Sequence, residues 1–442
     1  MKKFGFWIAL WIVGANAILE DLHIVKLKNN LNKNGNGTIT AASFTEPSSF
    51  IRQHYALYQA KHQSFIGGGI LKKMSLEDKE LSINTIEVGK DFSAVVGSFD
   101  AQFTEYLHGL DAIDYVESNQ IYRVAANIPL EKRDRQQSPV PSWGLARITH
   151  RDKSDLNVDI FDDSIQGEGV QVYVFDTGVN AEHPDLQGRV TRDISFINYE
   201  DDNDASGHGT HVAGIIGGTT FGVAKKAHIH SIKVLDKAGE GSTVALLEAI
   251  AFVGYNAIPG KSVINLSLTG PPSQSIDNAL SSLARDRNIP VFVAAGNSGD
   301  DACAYTPSRN EAVFTVGATD RDDNVPGFSS FGKCVRLYAP GVDIMSSWLG
   351  IQSQSLSGTR ILLTNYRWDI DDLLIFFSTI YSMANPHVTG IAALLLGKNN
   401  FASVEQIYDT LTLMATKNVL KMSSVAEGHE NYNLLAYTGI EG

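Results

Sequence analysis

The sequence contains, in chain order, an aspartate, a histidine and a serine that together could carry out nucleophilic catalysis. Asp176 follows the apolar run VQVYVF, His208 stands between two glycines in GHGTHVAG, and Ser382 opens SMANPHV. A serine hydroxyl is a weak nucleophile near neutral pH, so it needs a base within reach and an acid that holds this base in one tautomer. Asp176 alone would more often be a turn residue, and the prediction therefore depends on the combination.

Other histidines near this set could indicate a metal site. His208 and His211 are close in sequence, but the zinc-protease signature HExxH is absent. We therefore predict no metal among the catalytic groups, and expect His211 and His387 to be packed residues of their helices.

The elements that must position these residues alternate between strand and helix from Trp143 onward. Repeated β-α-β units predict an α/β domain with a doubly wound parallel sheet and a site at the carboxyl ends of its strands. The apolar runs and the segments between them give strands at Val170–Phe175, His228–Leu235, Val263–Leu268 and Val291–Ala295, and helices from His208, at Ser242–Tyr255, at Ser275–Arg287 and at Ser382–Leu396.

The amino-terminal part of the chain has a different sequence pattern from the α/β domain. Residues 1–17 have a basic start, a short apolar run and an A-x-A site, which predicts a signal peptide and secretion. Residues 18–126 form a small predicted α+β unit whose last strand runs over Asp114–Val124. A polar stretch follows, and we place the domain boundary there.

Composition excludes several classes of protein. The 442 residues carry a net charge of −13, which is unfavourable for binding nucleic-acid phosphates. Two cysteines cannot form a disulfide framework, and no apolar run is long enough to cross a membrane comfortably.

Several motifs together resemble one protein family. The segments WGLARI at Trp143–Ile148, DTG after Phe175, GHGTHVAG and AAGN resemble the subtilisin-like serine proteases, most closely the proteinase K-like branch. Residues 18–126 resemble the inhibitory prodomain of that family, and 143–442 the peptidase domain. The resemblance implies a secreted, monomeric serine endopeptidase made as a zymogen, which acts on proteins and peptides. It implies no required cofactor and no nucleic-acid or membrane partner.

The resemblance also assigns roles. Asp176 matches the orienting acid, His208 the general base, Ser382 the nucleophile and Asn297 the oxyanion-hole donor. The segments that match the substrate-binding edges and pocket of the family contribute Gly241, Ser267, Leu268, Thr269, Ala294, Ala295 and Gly296. The small residues among them imply a roomy pocket for a large apolar or aromatic residue before the cut.

The prodomain is expected to act as an intramolecular inhibitor and folding aid. Its last strand would place its carboxyl end in the cleft, and self-cleavage would then fall within about residues 125–136. Cleavage by another protease at the basic run Lys132–Arg135 remains the alternative.

Two further features follow from the resemblance. Related enzymes have a disulfide at the positions of Cys303 and Cys334. They also commonly bind calcium through backbone carbonyls and an aspartate, but this chain has Arg336 at the aspartate position. We expect that site to be metal-free, with Arg336 reaching the Glu311 carboxylate. Calcium at another, unassigned site stays open. An acidic cluster of Asp201, Asp202 and Asp204 could hold it, but we favour a solvated loop in which Asp204 bonds to local backbone.

The chain departs from the family at the nucleophile. Residues 360–381 interrupt the motif Gly-Thr-Ser-Met-Ala between Thr359 and Ser382. The insert is apolar and contains no Gly or Pro, which is a poor composition for a surface loop. We favour an intron that stays in frame. If the insert is translated, the chain would instead be a catalytically impaired binding or inhibitory protein.

Overall fold

The computed structural model describes residues 22–28, 47–63, 82–89, 92–124, 140–153, 156–162, 164–357, 383–424, 426 and 428–439. The predicted signal peptide, the processing window 125–136, the insert 360–381 and Ser382 lie outside the described residues.

The described strands divide between an amino-terminal unit and a larger unit. They are β1 (Leu22–Leu27), β2 (Ile83–Val88), β3 (Phe92–Ser98), β4 (Ile113–Ser118), β5 (Ile121–Val124), β6 (Gln171–Asp176), β7 (Val190–Ser195), β8 (His228–Lys233), β9 (Glu240–Ser242), β10 (Ser262–Leu266), β11 (Leu268–Thr269), β12 (Val291–Ala294), β13 (Phe314–Thr319), β14 (Leu337–Pro340), β15 (Ile344–Ser347), β16 (Ser353–Leu356), β17 (Thr416–Lys417) and β18 (Leu434–Leu435).

The α-helices follow the same division. They are α1 (Pro47–Gln63), α2 (Ala101–His108), α3 (Trp143–Thr149), α4 (His208–Gly217), α5 (Thr243–Asn256), α6 (Gln274–Arg287), α7 (Ala384–Lys398) and α8 (Val404–Met414).

A mostly parallel sheet forms the centre of the larger unit. Its strand order is β17-β18-β14-β13-β12-β10-β6-β8-β7, and the strands from β14 to β7 are parallel to their neighbours. Strands such as β10 and β12 are buried along their whole length, as expected when helices cover both faces of a sheet. The predicted doubly wound α/β fold is confirmed.

The amino-terminal unit is a four-stranded antiparallel sheet of order β2-β3-β1-β4. Alternate residues of its strands face opposite sides. Val25 and Val95 pack with α1 and α2 in a separate core, whereas Ile24, Ala94 and Val96 belong to the core of the larger unit. The second face of this sheet therefore rests on the larger unit, where β2 contacts α5 and α6.

The predicted single strand over Asp114–Val124 is wrong in its extent. The chain forms β4 in the amino-terminal sheet, stops at Asn119 and Gln120, and then forms β5 in another sheet. The break has a local cause, because the backbone of Gln120 and the side chain of Asn119 bond to the start of α5 at Thr243 and Val244. β5 then lies between β9 and β11, antiparallel to both.

Two other expectations concern the disulfide bond and a membrane-spanning helix. Cys303 and Cys334 form the expected disulfide, with their Cα atoms 5.4 Å apart. Within the described parts of the chain, no helix is both long and apolar enough to cross a membrane.

Candidate active site

The predicted acid and base meet at the carboxyl edge of the central sheet. Asp176 is the last residue of β6 and His208 the first residue of α4. The Nδ1 atom of His208 lies 2.5 Å from Oδ1 of Asp176, and both side chains are fully buried. The Thr177 backbone N–H also donates to this carboxylate, at 2.8 Å. The contact fixes the orientation of the imidazole ring.

The glycine after His208 permits this approach. A Cβ atom at Gly209 would lie 1.9 Å from the backbone oxygen of Gly178, in the turn that follows Asp176. Any larger residue would therefore force the helix away from the strand, and His208 with it.

Asp204 joins the two segments that carry Asp176 and His208. Its carboxylate accepts bonds from the backbone N–H groups of Ser206, Gly207 and Thr210. It also accepts from the hydroxyls of Thr177 and Thr210, at 2.8 and 2.7 Å. Burial raises the pKa of the Asp204 carboxyl, and these hydrogen bonds act in the opposite direction. The expected bonding of Asp204 to local backbone is thus confirmed, although its side chain is buried. Asp201 and Asp202 are exposed, as expected of a solvated loop.

A buried lysine supports the same edge. Lys233 ends β8, and its ammonium donates to the backbone oxygens of Thr177 and Leu235 at 2.7 and 2.9 Å. It also lies 3.1 Å from a carboxylate oxygen of Glu200. Sequence analysis missed this residue because nothing in the strand sequence HIHSIK shows that carbonyl oxygens and one carboxylate would surround the lysine charge.

His211 and His387 are packed inside the structure, as expected. His211 is fully buried, and its Nε2 lies 3.0 Å from the backbone oxygens of Ile344 and Gln354, which belong to β15 and β16. Burial lowers the pKa of His211 to about 3 and that of His387 to about 4. Both rings are therefore neutral near pH 7.

The candidate oxyanion donor lies one turn beyond β12. Ala294 ends this strand, and Ala295, Gly296 and Asn297 follow it, all of them buried. Gly296 has φ 98°, a conformation that favours glycine and turns the chain so that Asn297 leaves the sheet. Since β12, β10 and β6 are parallel neighbours, their carboxyl ends bring Asn297 and Ser267 to the edge where Asp176 lies.

The helix that follows Ser382 is anchored at the same edge. α7 begins at Ala384, and Asn385 in its first turn donates through Nδ2 to Asn265 Oδ1 at 2.9 Å and to the Phe292 backbone oxygen at 3.1 Å. Asn385 thus ties the start of α7 to β10 and β12. Sequence analysis missed this role, since a buried asparagine is recognised only by its partners.

The predicted substrate edges already hold a strand. In the β11-β5-β9 sheet, Tyr122 pairs with Gly241 of β9, and residue 124 pairs with Leu268 of β11. Thr269 pairs with residue 123, while Ser267 precedes β11. The edges therefore bind an extended chain on both sides, which is a common way to recognise peptides.

The expected calcium position is occupied by a side chain. Arg336 donates through Nη2 to the backbone oxygen of Glu311 at 2.7 Å. The expected bond to the Glu311 carboxylate is thus wrong in its acceptor atom. The guanidinium carbon also lies 5.7 Å from the Phe314 ring centre and 5.3 Å from that of Tyr408. The Arg336 guanidinium carries a fixed positive charge and already bonds the Glu311 carbonyl oxygen, so this position does not suit a bound cation.

The chain is similar to one protein family over more than half of its length. The profile of the Subtilase family (Peptidase_S8) matches residues 167–430. The chain is 37% identical over 300 residues to Subtilisin-like protease 2 of Pseudogymnoascus destructans, covering 67% of this chain and 68% of that protein. It is 34% identical over 382 residues to Proteinase R of Parengyodontium album, covering 85% and 87%.

A solved structure is also similar to this chain. A crystal structure of a cold adapted subtilisin-like serine proteinase aligns with a TM-score of 0.57 and 36% identity, covering 67% of this chain and 97% of that one.

Proposed function

Since the chain belongs to the subtilase family of serine-type peptidases, we propose that it is a secreted endopeptidase made as a zymogen. The observation that carries this proposal is the buried contact between Asp176 and His208 at the carboxyl edge of the parallel sheet. Ser382, directly before the segment that leads into α7, is the proposed nucleophile, and the amide of Asn297 the proposed oxyanion donor. Residues 1–17 are the proposed signal peptide.

The proposed reaction is acyl transfer to water. The Ser382 hydroxyl adds to the carbonyl carbon of the scissile bond while Nε2 of His208 accepts its proton. The oxygen that becomes negative is held by the Asn297 side chain and the backbone N–H of Ser382. His208 then gives the proton to the leaving amine, and the C–N bond breaks. Water, deprotonated by His208, hydrolyses the acyl-Ser382 ester and restores the enzyme. Asp176 keeps the imidazole in the productive tautomer throughout.

The position of β5 supports the zymogen part of the proposal. A strand from the amino-terminal unit fills both substrate edges, so an external peptide cannot pair with β9 and β11 while it remains there. The proposed prodomain is thus an inhibitor that lies in the cleft like a substrate. Ala294, Ala295 and Gly296 support a preference for a large apolar or aromatic residue before the cut.

We propose activity only for the chain without residues 360–381. An insert directly before Ser382 would displace the nucleophile, and a shift of about 1 Å in a catalytic group can cost about 100-fold in rate. The decisive experiment sequences the transcript across codons 355–390 and labels both protein forms with a serine-directed fluorophosphonate. We expect labelling of Ser382 in the shorter form and none in its Ser382→Ala variant. Labelling that persists in that variant contradicts the assignment.

Maturation is tested by the amino-terminal sequence of the secreted protein. Self-cleavage between about residues 125 and 136 predicts a new terminus within about residues 126–136 in the active form and an uncut chain in Ser382→Ala. Identical processing in both would assign the cut to another protease.

A further inference from the structure

Two histidines lie on the same face of β8, next to the edge strand β7 of the central sheet. His228 and His230 are separated by one residue, and alternate residues of a strand face the same side. Both side chains are partly exposed, and their ring centres are 5.0 Å apart. Two imidazoles that bind one tetrahedral zinc ion at about 2.0–2.1 Å have ring centres about 5 Å apart. The pair therefore has the spacing of a metal chelate.

His230 is held by a carboxylate and by an aromatic ring. Its Nδ1 atom lies 2.8 Å from Oδ2 of Asp193, in β7. Its ring stacks on that of Tyr173, in β6, with the two centres 4.5 Å apart. Histidines that bind metals commonly donate their other ring N–H to a carboxylate, which fixes the tautomer and makes the free nitrogen a better ligand. Asp193 thus leaves Nε2 as the coordinating atom of His230.

The contact on the other side of this ring calls for a positive charge. Nε2 of His230 lies 2.6 Å from Oε1 of Gln171. When Nδ1 donates its proton to Asp193, Nε2 carries a lone pair, so two acceptors face each other at this distance. A second proton on the ring, a rotated amide or a metal ion would each relieve the repulsion. Only the metal ion would also engage His228.

His228 has a nitrogen available for the same ion. Its Nε2 atom lies 2.7 Å from the hydroxyl oxygen of Thr191, in β7. Its Nδ1 atom has no hydrogen-bond partner among the residues that the structure describes. Thr191 therefore fixes the ring in the way that Asp193 fixes His230, and Nδ1 is the coordinating atom.

We propose that His228 and His230 chelate one divalent transition-metal ion (zinc, copper or nickel) through Nδ1 and Nε2, with water completing its coordination. Imidazole nitrogen suits these metals, whereas calcium and magnesium prefer oxygen ligands. Across the described ranges, no three side chains of His, Cys, Asp or Glu are grouped so that they can hold an ion. The site is therefore an open chelate of two histidines, which binds its ion reversibly.

The site is separate from the candidate active site. His228 begins β8, whereas Asp176 and His208 lie at the carboxyl edge of the sheet, where β8 ends at Lys233. Because Thr191 and Asp193 belong to β7, a bound ion would also hold the edge strand against β8. The inference does not rest on the proposed peptidase function.

The test titrates copper(II) and nickel(II) chloride into the full chain with Ser382→Ala, which is prepared without a histidine tag and freed of metal. Calorimetry should show one ion bound per chain, and the ion should raise the Tm because it binds the folded state. Asp193→Asn should weaken binding by about 10–100-fold, because the ligand loses its carboxylate partner. His228→Gln should weaken binding at least as much, since it removes a ligand.

His429→Gln is the matched control, because His429 is an exposed histidine outside the site. It should leave the affinity unchanged. Equal affinity of the parent and His228→Gln, with the same Tm in the absence of metal, overturns the inference. A parent protein that binds neither ion overturns it as well.

Electron paramagnetic resonance of the copper(II) form identifies the ligands independently of affinity. The parent should show nitrogen couplings from two imidazoles, and His228→Gln and His230→Gln should each show one. Two imidazole couplings in all three proteins would place the ion elsewhere and contradict the proposal.

Discussion

The hydroxyl of Thr177 bonds the carboxylate of Asp204 at 2.8 Å and accepts a bond from the backbone N–H of Gly209 at 3.0 Å. Thr177 follows Asp176 and Gly209 follows His208, so these bonds hold together the neighbours of the two proposed catalytic groups. The geometry of the Asp176–His208 pair thus depends in part on a third carboxylate, that of Asp204.

Asp204→Asn should impair this arrangement. An amide NH₂ would face N–H and O–H donors, so we expect stability to fall by about 1–3 kcal/mol and kcat to fall more than KM rises. Denaturant unfolding and steady-state kinetics measure both. Asp202→Asn is the control, because Asp202 is exposed and its change should stay within about 0.5 kcal/mol. Equal effects of the two substitutions would contradict the role of Asp204.

Asn297→Ala should lower kcat by about 100–1,000-fold with a small change in KM, because one oxyanion donor is lost. Thermal unfolding checks that the variant is folded. A large rise in KM with unchanged kcat would show that Asn297 binds substrate and does not stabilise the transition state.

Acid should destabilise the fold through His387 and His211. Both have folded pKa values below the usual 6.5, at about 4 and about 3, because burial disfavours the charged ring. The unfolded chain therefore binds protons first as pH falls, so stability is full above about 6.5 and is lost toward the folded pKa values. Each histidine contributes about 2 kcal/mol of this loss at pH 5.

His387→Gln should accordingly reduce the loss of stability between pH 7 and pH 5 by about half of that total. Chemical denaturation at both values is the measurement, and the exposed His429→Gln is the control. A variant as acid-sensitive as the parent would contradict the assignment.

Calcium should not protect the protein at the Arg336 position. Heat inactivation of the parent protein, with calcium and with EDTA, gives the reference that includes any other calcium site. The Arg336 position should add nothing to that difference, because the guanidinium already holds the Glu311 oxygen. Arg336→Asp should introduce a dependence on calcium, whereas the exposed Arg321→Asp should not. Calcium bound between Val313 and Arg336 in the parent protein would overturn this expectation.

The sequence was most informative where a motif is local. Asp176 and His208 were predicted because a strand end, a glycine turn and a helix start are all visible within a few residues. The end of the strand at Ser118 could not be predicted, since β4 and β5 have similar composition and differ only in the edges they meet. Lys233 and Asn385 were missed for a related reason, because their partners lie far away in the sequence.

For the proposed zymogen, we expect the three-stranded β9-β5-β11 sheet to make activation depend on dilution. While the chain is intact, β5 is tethered beside its edges at an effective concentration that a short linker raises to the order of millimolar. A cut after β5 converts this into binding between two separate molecules, so the occupancy of the cleft falls as the total protein concentration falls. We therefore expect the enzyme to stay inhibited longer in a concentrated culture fluid than in a dilute one.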